Sequence, residues 1–453
     1  MNALLVLPGC LSLWLVIRGR IEAAFLSVYL PALLLLPESY AVRLPHCPPI
    51  SAAEFALIPI GVVAVSRLIL RGPRAPMDIL VGLFMVSLWV SEILKEPVLN
   101  DGIFQAATYT ISIFLAYAVG RRIIEPGLRV AAVQRFVLLV LLLGVPGLLE
   151  WRMGQNYYGV EGQRLFGVAL TQGVQLRGGH ARLTASFTDA EIFGIALGMT
   201  FALNAWLFYF YKWRSETAGG GIFQKLEKRY IPGVLLLLYL LLTQSRGPLL
   251  GLGAAFLILQ IPRYRNTKRA TIVVAVLIAV FAVAVHQYLN YYTDVSGKVV
   301  VDEKRGSAIY RKAMNELYAP IADAGGWLGY GILHHPSLPG LESIDNEFLR
   351  VHLDQGNFGY VLFILIALES GRSLAVRSWR FGTIEDSSFA LCMLGSLTVF
   401  WVTLMTVYMG EQLPQVGFLL IGWSQSIVAG TPAAAMDSEP AVNPKFAFRR
   451  VFR

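Results

Sequence analysis

The sequence predicts an all-α polytopic integral membrane protein, and three observations lead to this fold class. Apolar residues make up 56% of the 453-residue chain, charged residues make up only 15%, and the mean hydropathy is +0.59. Because a soluble domain carries about 25% charged residues, this chain has too little polar surface for water. Apolar runs of helix length recur along it, and basic residues cluster between alternate runs. These features exclude a cytosolic enzyme, a secreted scaffold and a disordered protein.

Thirteen apolar segments approach the roughly 20 residues that a helix needs to cross a bilayer. They lie at about 2–17, 21–36, 53–70, 77–94, 102–120, 130–149, 190–210, 231–244, 248–262, 270–287, 348–367, 386–409 and 414–430. We therefore expect a single transmembrane domain over residues 1–430 with about 12–13 transmembrane helices. The tail at 431–453 has the composition of a disordered cytoplasmic segment.

Lysine and arginine are distributed unevenly among the connections between these segments. With the N-terminus outside, the inner connections and the tail hold 24 of them, whereas the short outer connections hold only Arg43, Lys95 and Arg246. Short cytoplasmic loops carry the basic excess in membrane proteins, which predicts this orientation. The net charge of +9 then reflects topology and anionic lipid neighbours, so no nucleic-acid partner is expected. Two outer loops, at about 150–190 and 287–346, are long enough to carry function.

The sequence shows none of the residue spacings that are typical of metal and nucleotide sites. Cys10, Cys47 and Cys392 lie far apart and form no metal-ligand spacing. The cytoplasmic side shows neither a P-loop nor a dinucleotide-binding glycine motif. We therefore expect no cofactor, no metal and no cytosolic nucleotide substrate.

Three arginines lie at or near the predicted ends of membrane spans, where a charged side chain is costly unless it has a partner or a ligand. Arg246 lies in TQSRGP, between two apolar segments with almost no loop, and the helix that restarts there would add its N-terminal dipole to an anion site. Arg182 precedes the seventh segment, and Arg311 lies in a predicted amphipathic helix, EKRGSAIYRKAMNELYAPIADA. Each arginine also has a plainer interpretation as a headgroup contact, a loop residue or a solvated charge.

Candidate proton acceptors lie in the second long outer loop. His334 and His335 follow a glycine-rich stretch, and Asp345 stands just before the segment at 348–367. A partly desolvated carboxylate or a neutral imidazole suits a general base. Asp345 is equally well explained as the N-cap of the helix that follows, and paired histidines in a polar loop are mostly solvated.

At these residues the sequence resembles the superfamily of O-antigen ligases and polymerases, the bacterial envelope glycosyltransferases. The resemblance covers about 182–367 and rests on RLTASFTDAEIFG entering a span, on the TQSRG break, and on LGYG followed by DNEFL and GNFGYVLF. It implies a C-type glycosyltransferase fold in the bacterial inner membrane, with the active site facing the periplasm. It also implies metal-independent transfer of a glycan from undecaprenyl pyrophosphate to an acceptor sugar hydroxyl.

The resemblance implies roles for particular residues of this chain. Pyrophosphate would be bound by Arg182, Arg246 and Arg311, the base would be Asp345, His335 or His334, and the substrate would contact Tyr310, Trp327, Asn346 and Glu347. Fixed guanidinium groups suit a pyrophosphate leaving group because they bind phosphate oxygens bidentately.

One departure from the family pattern bears on which reaction is expected. Ligases that join glycan to a lipid A core usually have histidine where this chain has Asp345, so we favour a polysaccharide polymerase over an O-antigen ligase. A transporter or flippase of the lipid-linked unit and a non-catalytic scaffold are the alternatives from other classes. The expected partners are the lipid-linked donor, a glycan acceptor, membrane lipid, and chain-length regulators or export proteins.

Overall fold

A computed structural model describes residues 3–43, 47–70, 75–168, 170, 173–209, 222–293, 303–341, 343–380 and 384–429. The tail predicted to be disordered, at 431–453, lies outside the described residues. Within them the chain is almost entirely helical, because a lipid solvent requires each backbone N–H and C=O group to find its partner inside the same segment.

The helices follow the apolar segments of the sequence closely. The first half contains α1 (Ala3–Ile17), α2 (Ile21–Ala24), α3 (Leu30–Leu35), α4 (Ala52–Leu70), α5 (Pro76–Lys95), α6 (Leu99–Tyr109), α7 (Ala116–Arg122), α8 (Arg129–Met153) and α9 (Tyr157–Phe166). The second half contains α10 (Ala190–Tyr209), α11 (Ile222–Leu242), α12 (Arg246–Gln260), α13 (Thr267–Thr293), α14 (Glu303–Ala324), α15 (Glu347–Arg380), α16 (Ile384–Leu404) and α17 (Leu413–Ala429). Single π-helical turns join α2 to α3 and α6 to α7.

Two short antiparallel ribbons complete the secondary structure of the described residues. Strand β1 (Ala41–Val42) pairs with β2 (Ile50–Ser51), and β3 (Leu176–Arg177) pairs with β4 (His180–Ala181).

Eight helices of the described part are long and apolar enough to cross a membrane. They are Ala52–Leu70, Pro76–Lys95, Leu99–Arg122, Pro126–Met153, Ala190–Phe208, Thr267–Thr293, Glu347–Arg380 and Asp386–Leu404. Three shorter apolar helices accompany them, at Leu4–Ile17, Ile21–Leu35 and Tyr230–Leu242. Every predicted apolar segment coincides with one of these helices or with α12 or α17. The all-α polytopic class is therefore confirmed.

Burial separates the centre of the bundle from its edge. Helix α10 is the most enclosed span, with 83% of its apolar stretch buried, and α16 follows with 72%. In α13 only 6% is buried, so this helix stands at the periphery with its apolar side chains facing outward. Polar groups at the ends of α10 therefore lie near the axis of the bundle.

Two glycines of α10 allow its neighbours to approach closely. A Cβ atom at Gly194 would lie 2.8 Å from Cγ of Pro248 on α12, and one at Gly198 would lie 2.8 Å from Cγ1 of Val399 on α16. Small residues that let backbones approach are a common packing device in membranes. The contact at Gly194 sets the spacing between the starts of α10 and α12.

Replacing Gly194 with alanine is expected to destabilise the protein by about 1–3 kcal/mol, because the rigid ring of Pro248 cannot move aside without shifting a helix. The measurement is thermal unfolding in detergent. Gly253→Ala is the matched control: Gly253 lies in α12 with nothing within 4 Å of the added methyl group. Alanine in a helix interior is favoured over glycine, so that variant should unfold at the wild-type temperature or above it.

Helix α15 is broken near its start, whereas the sequence predicts an uninterrupted span at 348–367. Gly356 has φ 67° and ψ −164° inside the helix. The backbone of the loop at 325–331 fills the gap, since Asn357 N donates to Gly326 O at 2.9 Å and a Cβ on Gly356 would lie 2.4 Å from Gly329 N. The break makes residues 347–355 a separate short helical piece, which begins beside Asp345.

Candidate functional site

A cavity of about 420 Å³ opens where the ends of α10, α12, α13 and α14 meet. Both long loops of the sequence reach it, through Arg177 and Asp345, and an ion pair between Glu191 of α10 and Arg311 of α14 lies in its lining. Seven charged residues contribute to its lining: Arg177, Glu191, Arg246, Arg311, Lys312, Glu316 and Asp345. Leu250, Leu289 and Met405 give the cavity an apolar side next to the spans.

The TQSRG stretch forms the break between α11 and α12. Gln244 has φ +52°, a left-handed conformation that reverses the chain, and α12 begins only two residues later. Two arginines from the preceding loop donate hydrogen bonds to backbone carbonyl groups at the end of α11. Arg182 Nε donates to Thr243 O at 2.9 Å, and Arg177 Nη1 donates to Gln244 O at 2.6 Å. Cations next to the last carbonyl groups of a helix are favourable, so these contacts fix the break in place.

Arg246 is the first residue of α12 and lines the cavity. No residue that the structure describes forms a hydrogen bond or an ion pair with its guanidinium. The first N–H groups of α12 lie beside it, and these groups and the helix dipole favour an anion. The sequence prediction of a cation next to a helix restart is confirmed, and its guanidinium is available to a ligand.

Arg182 lies behind the break and is not part of the cavity lining. Its side chain is buried, donates to Ser245 Oγ at 2.8 Å, and lies 3.8 Å from Glu191 Oε1. Burial lowers the pKa of this guanidinium, and the nearby Glu191 carboxylate opposes that effect. The geometry of Arg182 is that of a group holding other site residues, which differs from the ligand role that the resemblance implies.

Arg311 connects two carboxylates across the cavity. Its Nη2 atom donates to both oxygens of Glu191, at 3.1 and 3.0 Å, and lies 3.9 Å from Asp345 Oδ2. The predicted amphipathic helix that carries it is present as α14. Met314 and Tyr318 of that helix are fully buried against the loop at 338–344 and the start of α15, and this packing sets the position of Arg311.

Asp345 faces the cavity because its neighbour performs the capping function. Asn346 Oδ1 accepts from Phe348 N at 3.1 Å and from Leu349 N at 3.3 Å, so Asn346 caps α15 and the sequence interpretation of Asp345 as the cap is wrong. The Asp345 carboxylate accepts one hydrogen bond, from Ser343 Oγ at 2.6 Å, and its other oxygen points toward Arg311. A carboxylate and a guanidinium group thus lie close together in the lining of the cavity.

His334 and His335 belong to a different cluster and do not line the cavity. His334 Nε2 lies 2.9 Å from Glu96 Oε2, and His335 Nδ1 lies 3.1 Å from Asp354 Oδ1. Both contacts tie the turn after 331 to the outer end of α5 and to the short piece of α15. Of the three candidate bases, the structure places only Asp345 in the cavity.

The predicted substrate-binding residues are distributed around the site without lining it. Tyr310 Oη donates to Ser343 O at 2.7 Å and so supports the loop that carries Asp345. Glu347 is buried and accepts from Met409 N at 2.7 Å, and Asn346 Nδ2 donates to Asn315 Oδ1 at 3.0 Å. Trp327 is 72% exposed and does not line the cavity.

The sequence analysis did not assign Arg177 and Lys312 to the site, although both line the cavity. A signal for Arg177 exists in the sequence. Gly178 and Gly179 follow it, both have positive φ, and they form the turn of the β3–β4 ribbon. A glycine pair between two short strands is typical of a tight hairpin turn, which here folds Arg177 back toward the α11–α12 break.

The arrangement suits a dianionic ligand with an apolar tail. Arg177, Arg246 and Arg311 supply guanidinium groups from three separate stretches of chain, and the carboxylates of Glu191, Glu316 and Asp345 line the same cavity. Fork-shaped guanidinium groups match phosphate oxygens. Among the described residues, His, Cys, Asp and Glu form no group with the spacing of a metal site.

Comparison with protein families identifies one match within the chain. Residues 231–364 match the family model of O-antigen ligase. The match contains Arg246, Arg311 and Asp345 and begins after the stretch that carries Arg177 and Arg182. A comparison with curated proteins found no matching sequence.

Proposed function

We propose that this protein is a polysaccharide polymerase, because residues 231–364 match the family model of O-antigen ligase and several helices are long and apolar enough to cross a membrane. The donor is a glycan repeat unit linked to a polyprenyl pyrophosphate, undecaprenyl pyrophosphate in bacteria. The acceptor is a sugar hydroxyl of a second glycan. The reaction takes place at the periplasmic face of the inner membrane.

The observation that carries this proposal is Arg246, whose guanidinium has no hydrogen-bond or ion-pair partner among the described residues, in a cavity that holds two further arginines. A pyrophosphate needs several fixed cations at the membrane boundary, and Arg177, Arg246 and Arg311 meet that need. The N-terminus of α12 adds its dipole at the same place. Leu250, Leu289 and Met405 are apolar residues of the cavity lining and suit the first isoprene units of the carrier lipid.

The transfer itself needs one proton acceptor and a stabilised leaving group. Asp345 takes the proton of the acceptor hydroxyl, whose oxygen then bonds to the anomeric carbon of the donor sugar. The bond between that carbon and the pyrophosphate oxygen breaks, and its electron pair leaves with the lipid pyrophosphate. The arginines stabilise the charge that develops on the leaving oxygen. No other chemical group is required by this balance.

The charge distribution of the connections supports the periplasmic placement. The cavity lies at the end of the bundle that carries few lysines and arginines in its short connections, and 24 basic residues lie in the opposite connections and the tail. Lipid-linked glycans and envelope acceptors would meet the protein at that poorly basic end.

The aspartate at position 345 favours a polymerase over a ligase, since ligases usually carry histidine there. The test is to purify the protein, supply a labelled lipid-linked donor together with both acceptor classes, and identify the labelled product. Transfer to a second lipid-linked unit supports a polymerase, and transfer to a lipid A core shows a ligase. Transfer to neither acceptor would contradict the proposed function.

Replacing Arg182 with lysine is expected to lower the unfolding temperature and to reduce transfer by about tenfold or more. A lysine cannot reproduce the fork that holds Thr243 O and Ser245 Oγ together, and buried hydrogen bonds to charged groups contribute about 1.5–3 kcal/mol each. Thermal unfolding and single-turnover transfer measure the two effects. Arg269→Lys, at an exposed position in the first turn of α13 and outside the site, is the control and should change neither. Wild-type stability in Arg182→Lys would remove the supporting role.

A further inference from the structure

Glu191 occupies the position in the cavity where an anion is expected. Its carboxylate accepts from Arg311 Nη2 through both oxygens, lies 3.8 Å from Arg182 Nη2, and lines the same cavity as Arg246. Its side chain is only 15% exposed, so these contacts are weakly screened by water. The backbone around it is already satisfied, because Asp189 Oδ1 accepts from Glu191 N at 2.6 Å. The carboxylate is therefore not needed to cap α10.

Arg311 cannot serve Glu191 and a bound pyrophosphate equally well. Its contact with Glu191 uses one nitrogen, Nη2, and its Nε atom is buried without a hydrogen-bond partner. When a pyrophosphate enters, the guanidinium can form a fork with phosphate oxygens only by giving up part of its contact with the carboxylate. The internal and external anions thus compete for the same cation.

This competition matters most after transfer. The donor pyrophosphate is esterified at both ends, whereas the lipid pyrophosphate left by the reaction has gained one ionisable oxygen. The product therefore binds an arginine-lined cavity more strongly than the donor does, and its release becomes slow. We propose that Glu191 is a positioning residue that acts on product release: it holds Arg311 in the empty cavity and takes this guanidinium back from the lipid pyrophosphate. This inference rests on the proposed function, which supplies the pyrophosphate product.

The test uses Glu191→Gln, which keeps the size of the side chain and removes its charge. We expect inorganic pyrophosphate to bind the purified full-length variant about five- to tenfold more tightly than the wild type, as loss of one competing ion pair implies. In transfer assays the donor KM should fall and kcat should fall with it, while the first turnover keeps its wild-type rate. The result is a burst of product followed by a slow steady state.

A purely structural role for Glu191 predicts the opposite sign. If the carboxylate only holds Arg311 in place, the variant will bind pyrophosphate more weakly and the donor KM will rise, which overturns the inference. Glu369→Gln is the matched control: it removes a carboxylate that pairs with an arginine, Arg372 at 2.6 Å, away from the cavity, and should leave pyrophosphate affinity unchanged.

A second variant and the wild-type control keep the inference separate from the proposed function. If Glu191→Gln does not accumulate in the membrane, Glu191→Asp carries the test, since its carboxylate is drawn back by one methylene group and should still allow tighter pyrophosphate binding. If the wild type binds no inorganic pyrophosphate, the proposed anion site itself fails. If the wild type binds it and neither variant binds it more tightly, only the role of Glu191 fails.

Discussion

Glycan transfer is expected to fall by about 100-fold or more when Arg246 is replaced by alanine, because the leaving pyrophosphate loses its one unpaired guanidinium among the described residues of the cavity. The contact is fully used only as charge develops on the leaving oxygen. The loss should therefore appear in the single-turnover rate with saturating lipid-linked donor as well as in donor affinity. Arg246→Lys should lose nearly as much, since an ammonium group forms no fork with phosphate oxygens.

The fold is not expected to depend on Arg246. Its side chain forms no hydrogen bond or ion pair with the residues that the structure describes, and Arg177 and Arg182 hold the break instead through Gln244 O and Thr243 O. Both Arg246 variants should reach the membrane at wild-type levels and unfold at the wild-type temperature. Arg164→Ala is the control, because the Arg164 side chain is 76% exposed and pairs only loosely with Glu161, at 3.7 Å.

A non-catalytic scaffold and a flippase make different predictions for the same variants. A scaffold tolerates Arg246→Ala with normal polymer in cells, and that outcome would contradict the site. Loss of a flippase leaves the lipid-linked unit on the inner face, whereas loss of a polymerase leaves single units on the outer face. Locating the accumulated unit in cells that carry Arg246→Ala therefore separates these classes.

The helices were predictable from the sequence because the membrane leaves few alternatives. Hydrocarbon requires internally satisfied backbone groups, so each apolar run of sufficient length becomes a helix. The interruption at Gly356 was not predictable in this way. It depends on backbone contacts with Gly326 and Gly329, about thirty residues earlier, and no local pattern in α15 encodes that approach.

The candidate site was predictable where a residue violates a local rule. Arg246 attracts attention because a charge between two spans is costly, and the structure places it in the cavity. The division of roles between neighbours was not predictable. Asp345 and Asn346 both suit an N-cap by residue type, and the structure is needed to show that Asn346 Oδ1 accepts the hydrogen bonds of the helix start. The backbone N–H group of Asp345 donates instead to Met314 Sδ at 3.2 Å, a contact from a distant part of the chain.

The partners of the two histidines were also not predictable from the sequence. His335 has the residue type of a general base, and nothing in the sequence near it reveals a partner. The partner is Asp354, which lies nineteen residues later and whose backbone carbonyl accepts a hydrogen bond from Gly331 N at 3.0 Å. A base chosen by residue type alone would have favoured His335 over Asp345.

The choice of base leads to the second large effect, in Asp345→Asn. Asparagine keeps the size of the side chain and its hydrogen bond from Ser343 Oγ, but cannot take a proton. General base catalysis contributes about 10²- to 10⁴-fold, so kcat should fall by that factor. Donor affinity should stay within a few-fold of wild type, since the variant removes no cation from the cavity. Steady-state transfer with varied donor concentration measures both quantities.

The split between kcat and KM distinguishes a base from a structural carboxylate. If Asp345 only positions Arg311, which lies 3.9 Å away, its replacement will change donor KM and leave the chemical step intact. Asp323→Asn is the matched control, because the Asp323 side chain is 74% exposed and lies outside the cavity. A large loss of kcat in His335→Gln together with a normal rate in Asp345→Asn would move the base to the His335–Asp354 pair. The acceptor sugar would then have to approach from the side of α5, because Asp345 lines the cavity whereas His335 lies outside it, in the cluster with Asp354.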